Sequence, residues 1–251
     1  MFWIKKINAV NKQGEAMKKY YMFFSFVFIF CIFCISSVSA ATITGIVKYD
    51  GDAPKFKEIK MDADPICLTH HNNPVYPQVL LLGDDNSMGN VFIHIVSGLS
   101  GKKYSPPSEP AILDQKGCMY EPHVLGVMVG QTLKVLNPDG TLHNVHGTPK
   151  ENQEFNIAMP KFRKEITRTF DKPEFMFPMK CDVHPWMGAW VSVMEHPFFS
   201  VTKDDGKFRI EDLPAGEYEI EAWHEKLGTK KATIVVAEGD TKEVNFLFSK
   251  P

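Results

Sequence analysis

Three features of the sequence predict an all-β protein. From Ala41 onward apolar and polar residues alternate in short runs, and clusters of Gly, Pro, Asn and Asp interrupt those runs at short intervals. No stretch beyond Ala41 keeps a helical period for three turns. Strands recurring at that spacing between strong turns describe a sandwich or barrel.

The chain begins outside this pattern. Lys18 and Lys19 precede an apolar run from Tyr20 to Ile35, and Ser36-Ser37-Val38-Ser39-Ala40 closes it. A basic stub, an apolar stretch and a small-residue end are the parts of a secretory signal peptide, so residues 1–40 are expected to be removed after Ala40. Met17 is the more ordinary start. The alternative is an uncleaved anchor, for which the run is just short of a comfortable span; only then is a membrane a partner. Cleavage implies a periplasmic or otherwise exported protein.

Residues 1–40 hold five lysines and one glutamate. Removing them from 28 basic and 30 acidic residues leaves 23 and 29, a net charge of −6 with neutral histidines. That balance argues against nucleic acid as a partner, because no basic patch survives to neutralise phosphates. Three cysteines remain: Cys67, Cys118 and Cys181. In an oxidising compartment an odd number asks which two pair. Cys67 with Cys118 as a disulfide and Cys181 as a metal ligand is one assignment; two buried thiols are the other.

The elements follow in order. Thr42–Lys48 alternates and turns at Tyr49 to Pro54. Val79–Leu82, Val91–Val96, Val124–Val129 and Thr132–Leu136 have strand character, as do Glu165–Phe170, Phe175–Cys181 and Ala189–Met194. Leu99–Pro110, with three prolines, predicts a long surface loop. Beyond His196-Pro197-Phe198 come four more short strands, Lys207–Ile210, Glu217–Trp223, Lys231–Val236 and Glu243–Phe248. A boundary near residue 198 is therefore expected, with residues 41–197 as one domain and 198–251 as a second. Fifty residues are few for a free-standing core, so the second is expected to pack on the first.

The chemistry sits in Cys181-Asp182-Val183-His184-Pro185-Trp186-Met187, which presents a thiolate, an imidazole and a thioether at three-residue spacing just after a strand. His143 lies 38 positions upstream. Two imidazoles and a thiolate with a distant thioether are the donor set of a type 1 copper site. The sulfur of Cys181 binds copper strongly in both oxidation states, the imidazoles suit both, and Met187 is a weak axial donor that helps set the potential. Four donors leave no open position, which points to outer-sphere transfer and not to an enzyme. A buried Cys with structural histidines, or a zinc site, is the alternative; zinc more often takes a second thiolate. Phe175, Phe177, Met179 and Cys181 are expected on one apolar strand face that shields the metal. Asn144 is placed to pin two loops or to hydrogen-bond the sulfur. His146 is expected beside the site or at the surface, not as a ligand. His70, His71, His94 and His123 have no characteristic metal spacing. Trp223-His224-Glu225 is expected as a buried tryptophan beside a turn.

These residues resemble the cupredoxin family, most closely its amicyanin and plastocyanin branch, over about Met119 to Met194. The resemblance includes Pro122, Val127 to Gln131, Asn137, His143-Asn144-Val145 and Cys181-x-x-His184-Pro185-x-Met187, with the amicyanin spacing between His184 and Met187. It implies a Greek-key β-sandwich, core about 119–195, with one copper held by His143, Cys181, His184 and Met187. It also implies that the edge of His184 is exposed in an apolar patch with Pro185 and Trp186, through which electrons pass to redox protein partners. Residues 41–118 fall outside it and are expected as an N-terminal elaboration or a partly separate β-unit. Asp205-Gly206-Lys207-Phe208 and Leu213-Pro214-Ala215-Gly216-Glu217-Tyr218 resemble the carboxypeptidase regulatory-like, or transthyretin-like, β-sandwich, a non-catalytic accessory module. The function expected is single-electron transfer. The rivals are a copper storage or delivery protein, and a redox subunit whose catalytic centre is on a partner.

Overall fold

The computed structural model describes residues 40–99 and 101–250; apart from Ala40, the expected leader lies outside them. Among the described residues the chain is all-β, and its one α-helix is a single turn, Pro65–Thr69. Asp64 starts that turn by accepting the Ile66 N–H, with Pro65 at the first helical position. No described helix is long and apolar enough to cross a membrane.

The strands form two sandwiches. In the first, a five-stranded sheet has the order Val124–Met128, Gly188–Met194, Glu174–Lys180, His143–Gly147, Phe155–Met159. It shares a core with a three-stranded sheet of Glu165–Thr169, Thr132–Leu136 and Ala111–Asp114. Alternation drives the layering: Leu133 and Val135 of one sheet and Val145, Met179 and Val191 of the other are fully buried. Each such side chain stabilises the fold by about 1.5–3 kcal/mol relative to exposure.

The second sandwich is not confined to residues 198–251. Ala41–Asp50 pairs antiparallel with Lys207–Leu213 and parallel with both Thr241–Glu243 and Phe246–Ser249. Phe92–Ser97 lies between Phe199–Val201 and Gly216–His224, with Gly228–Val236 at the edge. Ile43, Ile93, Phe208, Ile220 and Phe248 share its core. The expected boundary is corrected accordingly: two strands assigned to the N-terminal elaboration belong with the C-terminal ones. Fifty residues bury too little surface alone, and Ala41–Asp50 and Phe92–Ser97 supply further apolar side chains to the shared core. Phe92, Val124, Met176 and Met194 form a separate small cluster, against which Trp190 and Trp223 pack.

Five strands lie outside the expected runs: Met88–Gly89, Ala111–Asp114, His143–Gly147, Phe155–Met159 and Phe199–Val201. His143–Gly147 is polar in composition and is a strand because neighbours pair with it on both sides. The expected face of Phe175, Phe177, Met179 and Cys181 is also corrected. A bulge between Glu174 and Phe177, with Met176 at φ 53°, resets the alternation and leaves Phe175 exposed while the other three stay buried.

Gly45 marks the point where Ala41–Asp50 changes parallel partner. A Cβ there would stand 1.7 Å from the Val244 carbonyl oxygen, and Val244 N–H donates to the Thr44 carbonyl (2.9 Å). Gly45→Ala is expected to lower the stability of the metal-free chain by about 1–3 kcal/mol, measured as a fall in the urea midpoint without loss of strand content.

Candidate metal centre

The Cys181–Met187 loop joins two neighbouring strands of the five-stranded sheet. Cys181 N–H donates to the Met187 carbonyl (3.3 Å) and Met187 N–H to the His184 carbonyl (2.9 Å). These bonds close the loop on itself, and Cys181, His184 and Met187 are all buried. His143 begins the adjacent strand and is fully buried. Tyr120 ties the two segments: its hydroxyl donates to the Asn144 carbonyl (2.9 Å) and lies 3.2 Å from that of Lys180.

The structure brings His143, Cys181 and His184 together, with a donor atom from each within 4.8 Å of the others. His143 Nδ1 lies 2.9 Å from His184 Nδ1, and Cys181 Sγ lies 3.8 Å from His184 Nδ1. Each ring is held from behind: His143 Nε2 is 3.0 Å from Asp139 Oδ2, and His184 Nε2 is 3.1 Å from Asp64 Oδ2. A carboxylate at Nε2 fixes the tautomer that leaves Nδ1 a bare lone pair. Two such lone pairs facing each other at 2.9 Å repel unless positive charge lies between them. A proton or a metal cation satisfies the pocket, and two nitrogens with one sulfur, next to a buried thioether residue, suit copper.

The electrostatics agree with this. Burial alone would pull His143 down, but the bond to Asp139 and the Cys181 sulfur outweigh it and hold the ring at about 8. Burial pushes the Cys181 thiol up, yet His143 and the Asn144 N–H, which donates to Sγ at 3.4 Å, bring it below the usual thiol range. His184 is lowered by burial and then by the charge on His143. The metal-free pocket therefore keeps its proton on His143. Asp139 is itself pinned by the N–H groups of Gly117 (3.0 Å) and Cys118 (2.8 Å), which with the His143 bond overcome burial and hold it ionised. Asp64 accepts from the Thr141 hydroxyl at 2.6 Å, the main cause of its lowered range.

Residues from the N-terminal elaboration seal the pocket. Cys67 and Cys118 form a disulfide with Cα atoms 5.6 Å apart, and Cys67 Sγ lies 3.6 Å from His184 Nε2. A bond from Ile59 N–H to the Val75 carbonyl (2.8 Å) closes the base of this segment. The exposed histidine edge implied by the resemblance is therefore not found: His184 is 2% exposed, covered by Asp64, the disulfide and the Trp186 ring at 5.1 Å. Trp186 is half-buried and donates from Nε1 to the Cys118 carbonyl (3.0 Å), while Pro185 remains exposed.

The other histidines go elsewhere. Asn144 bridges loops through its side chain, accepting from Asp182 N–H (2.5 Å) and donating to Asn156 (2.5 Å). His146 sits between Asp182 (2.8 Å) and Glu154 (3.0 Å). His70 approaches Asp139, His71 the Gly117 carbonyl, His94 Glu221, and His123 the Gly188 carbonyl and Glu225. None of His71, His94, His123 and His146 belongs to a metal-competent cluster among the described residues. Trp223 packs edge-on against Trp190, and His224 is buried beside the turn. Sequence reasoning missed Asp64, Asp139 and Tyr120. Asp64-Pro65 is a helix-start signal and Asp139 precedes His143 by four residues, but neither pattern names a histidine partner; Tyr120 carries no local signal.

No family model and no curated protein matches the chain. Among solved structures it is similar to a copper-containing nitrite reductase from Thermus scotoductus (23% identity, TM-score 0.33, over 41% of this chain and 25% of that one). It is also similar to a purple cupredoxin from Nitrosopumilus maritimus (23%, 0.28, 34% and 99%), and to the Cu(I) form of an amicyanin variant (24%, 0.31, 39% and 97%). The chain thus spans a quarter of the nitrite reductase's length.

Two outcomes are expected. Asp139→Ala should weaken copper binding by about 10–100-fold in a chelator competition, with the urea midpoint recorded in parallel. Because His143 is held at about 8 and must lose its Nδ1 proton to bind a metal, acid competes with the ion. Apparent affinity should fall about tenfold or more for each pH unit below that value, read by the same competition between pH 8 and pH 6.

Proposed function

We propose that this chain is an exported type 1 copper protein of cupredoxin type that carries single electrons between redox proteins. One observation carries the proposal: two imidazole Nδ1 atoms and a buried thiol converge, while both outer nitrogens are fixed by carboxylates. Copper supplies the one-electron couple. The protein's part is to hold His143, Cys181 and His184 in one arrangement for both oxidation states and to keep water out. Met187, buried in the same loop, is the axial donor in this proposal. The Asn144 N–H bond to Cys181 Sγ draws charge from the sulfur, a lever on the potential.

The sealed edge of His184 favours carriage over delivery, since a protein that hands its ion on needs an open side. It also moves the exit route. Trp186, against His184 and half-buried, with exposed Pro185 beside it, is the surface through which the centre would meet a partner. The disulfide supports an oxidising compartment. The second sandwich, with no chemistry of its own in this proposal, serves docking or stability.

The test is the visible spectrum of the copper-loaded chain. An intense blue thiolate-to-copper band is expected, bleached by mild reductant and restored by oxidant. It should be absent in Cys181→Ser and altered in Met187→Leu. A colourless wild-type chain with Cu(II) bound rules the proposal out, and loss of copper on each reduction favours delivery.

A further inference from the structure

The disulfide and the metal pocket share a residue. His184 turns Nδ1 toward His143 and Cys181, and Nε2 toward Cys67 Sγ at 3.6 Å and Asp64 Oδ2 at 3.1 Å. Donor atoms of Cys67, Cys118 and His184 all lie within 4.8 Å of one another, and all three residues are buried. While the sulfurs are bonded to each other they are poor ligands. As thiolates they would give, with an imidazole and a carboxylate, a four-donor set of the kind zinc takes, whose two sulfurs also suit softer ions.

We infer that reduction of Cys67–Cys118 creates a second metal site, made of Cys67, Cys118, His184 Nε2 and Asp64, for a soft cation such as Zn(II), Cd(II) or Cu(I). It shares His184 with the centre proposed above but does not require that centre to hold copper. The chemistry balances with a dithiol as reductant. The Cys67–Cys118 bond breaks, the two sulfurs gain two electrons and two protons, and the dithiol closes to its own disulfide. Binding of a divalent ion then releases both thiol protons, while His184 stays neutral by shifting its proton from Nε2 to Nδ1, where it faces Nδ1 of a neutral His143. Little backbone movement is needed. Ligands about 2.3 Å from a tetrahedral ion place two thiolate sulfurs under ~4 Å apart, a separation that Cα atoms at 5.6 Å accommodate. Side chains that now wall the first pocket thus become ligands of the second ion, and loading one site is coupled to the other through one imidazole.

The experiment uses the full chain, reduced with a phosphine that is then removed without air. Cd(II) is added, and the rate of alkylation of each cysteine is followed by peptide mass spectrometry with and without the ion. Protection of Cys67 and Cys118 by about tenfold or more, in wild type and in Cys181→Ser, is the expected result; Cys181 alone protected overturns the inference. So does unfolding on reduction, read as loss of the near-ultraviolet circular dichroism. In Cys181→Ser loaded with Co(II), thiolate-to-cobalt bands should appear only after reduction. The oxidised wild-type chain is scored separately for blue colour, so failure of the copper assignment and failure of the second site give different results.

Discussion

Two imidazole–carboxylate contacts govern the centre. Asp139 behind His143 and Asp64 behind His184 fix both rings so that their remaining lone pairs oppose one another across 2.9 Å. That arrangement is unfavourable in a neutral pocket and becomes favourable only with a positive charge between the rings. The cost is carried by the rest of the structure. Asp139 is anchored by two backbone N–H groups, Asp64 by the turn it starts and by Thr141, and Tyr120 clamps the two strands that carry the ligands. Pre-set donors of this kind lower the rearrangement needed when the charge on an ion changes.

Much of this could be read in the chain, and the exceptions share a cause. Strands with clean alternation, such as Thr132–Leu136, and the loop from Cys181 to Met187 were legible because their signal is local. The His143–Gly147 strand was not, since its polar residues become a strand only by pairing on both sides. The same holds for the placement of Ala41–Asp50 beside residues 207–249: alternation gives a strand its faces and says nothing about its partners. The bulge at Met176 shifted one residue, Phe175, out of the expected face. Asp64 and Asp139 escaped because a carboxylate behind a histidine is a tertiary fact, written 120 and four residues away from its partner.

The difference from the exposed-edge arrangement has one origin. The segment around Pro65–Thr69, stapled by the Cys67–Cys118 bond, fills the place where the His184 ring would otherwise meet solvent. Within this loop His184 is thereby covered, while Pro185 stays exposed and Trp186 half-buried.

The nested order of the strands has a consequence for how the protein is made. The excursion that builds the first sandwich leaves after Ser97 and rejoins at Phe199, and its two ends are hydrogen-bonded neighbours, Ile95 N–H to the Phe198 carbonyl at 3.2 Å. A guest module is thus enclosed within a host. When the polypeptide emerges from its amino end, the host's leading strands must wait for partners 105 (His94 to Phe199) to 199 (Val47 to Phe246) residues later, whereas the guest has all its strands in one continuous stretch. The guest can ripen first, and the host then zips shut around its stem, a slow step because so much chain separates the pieces it joins.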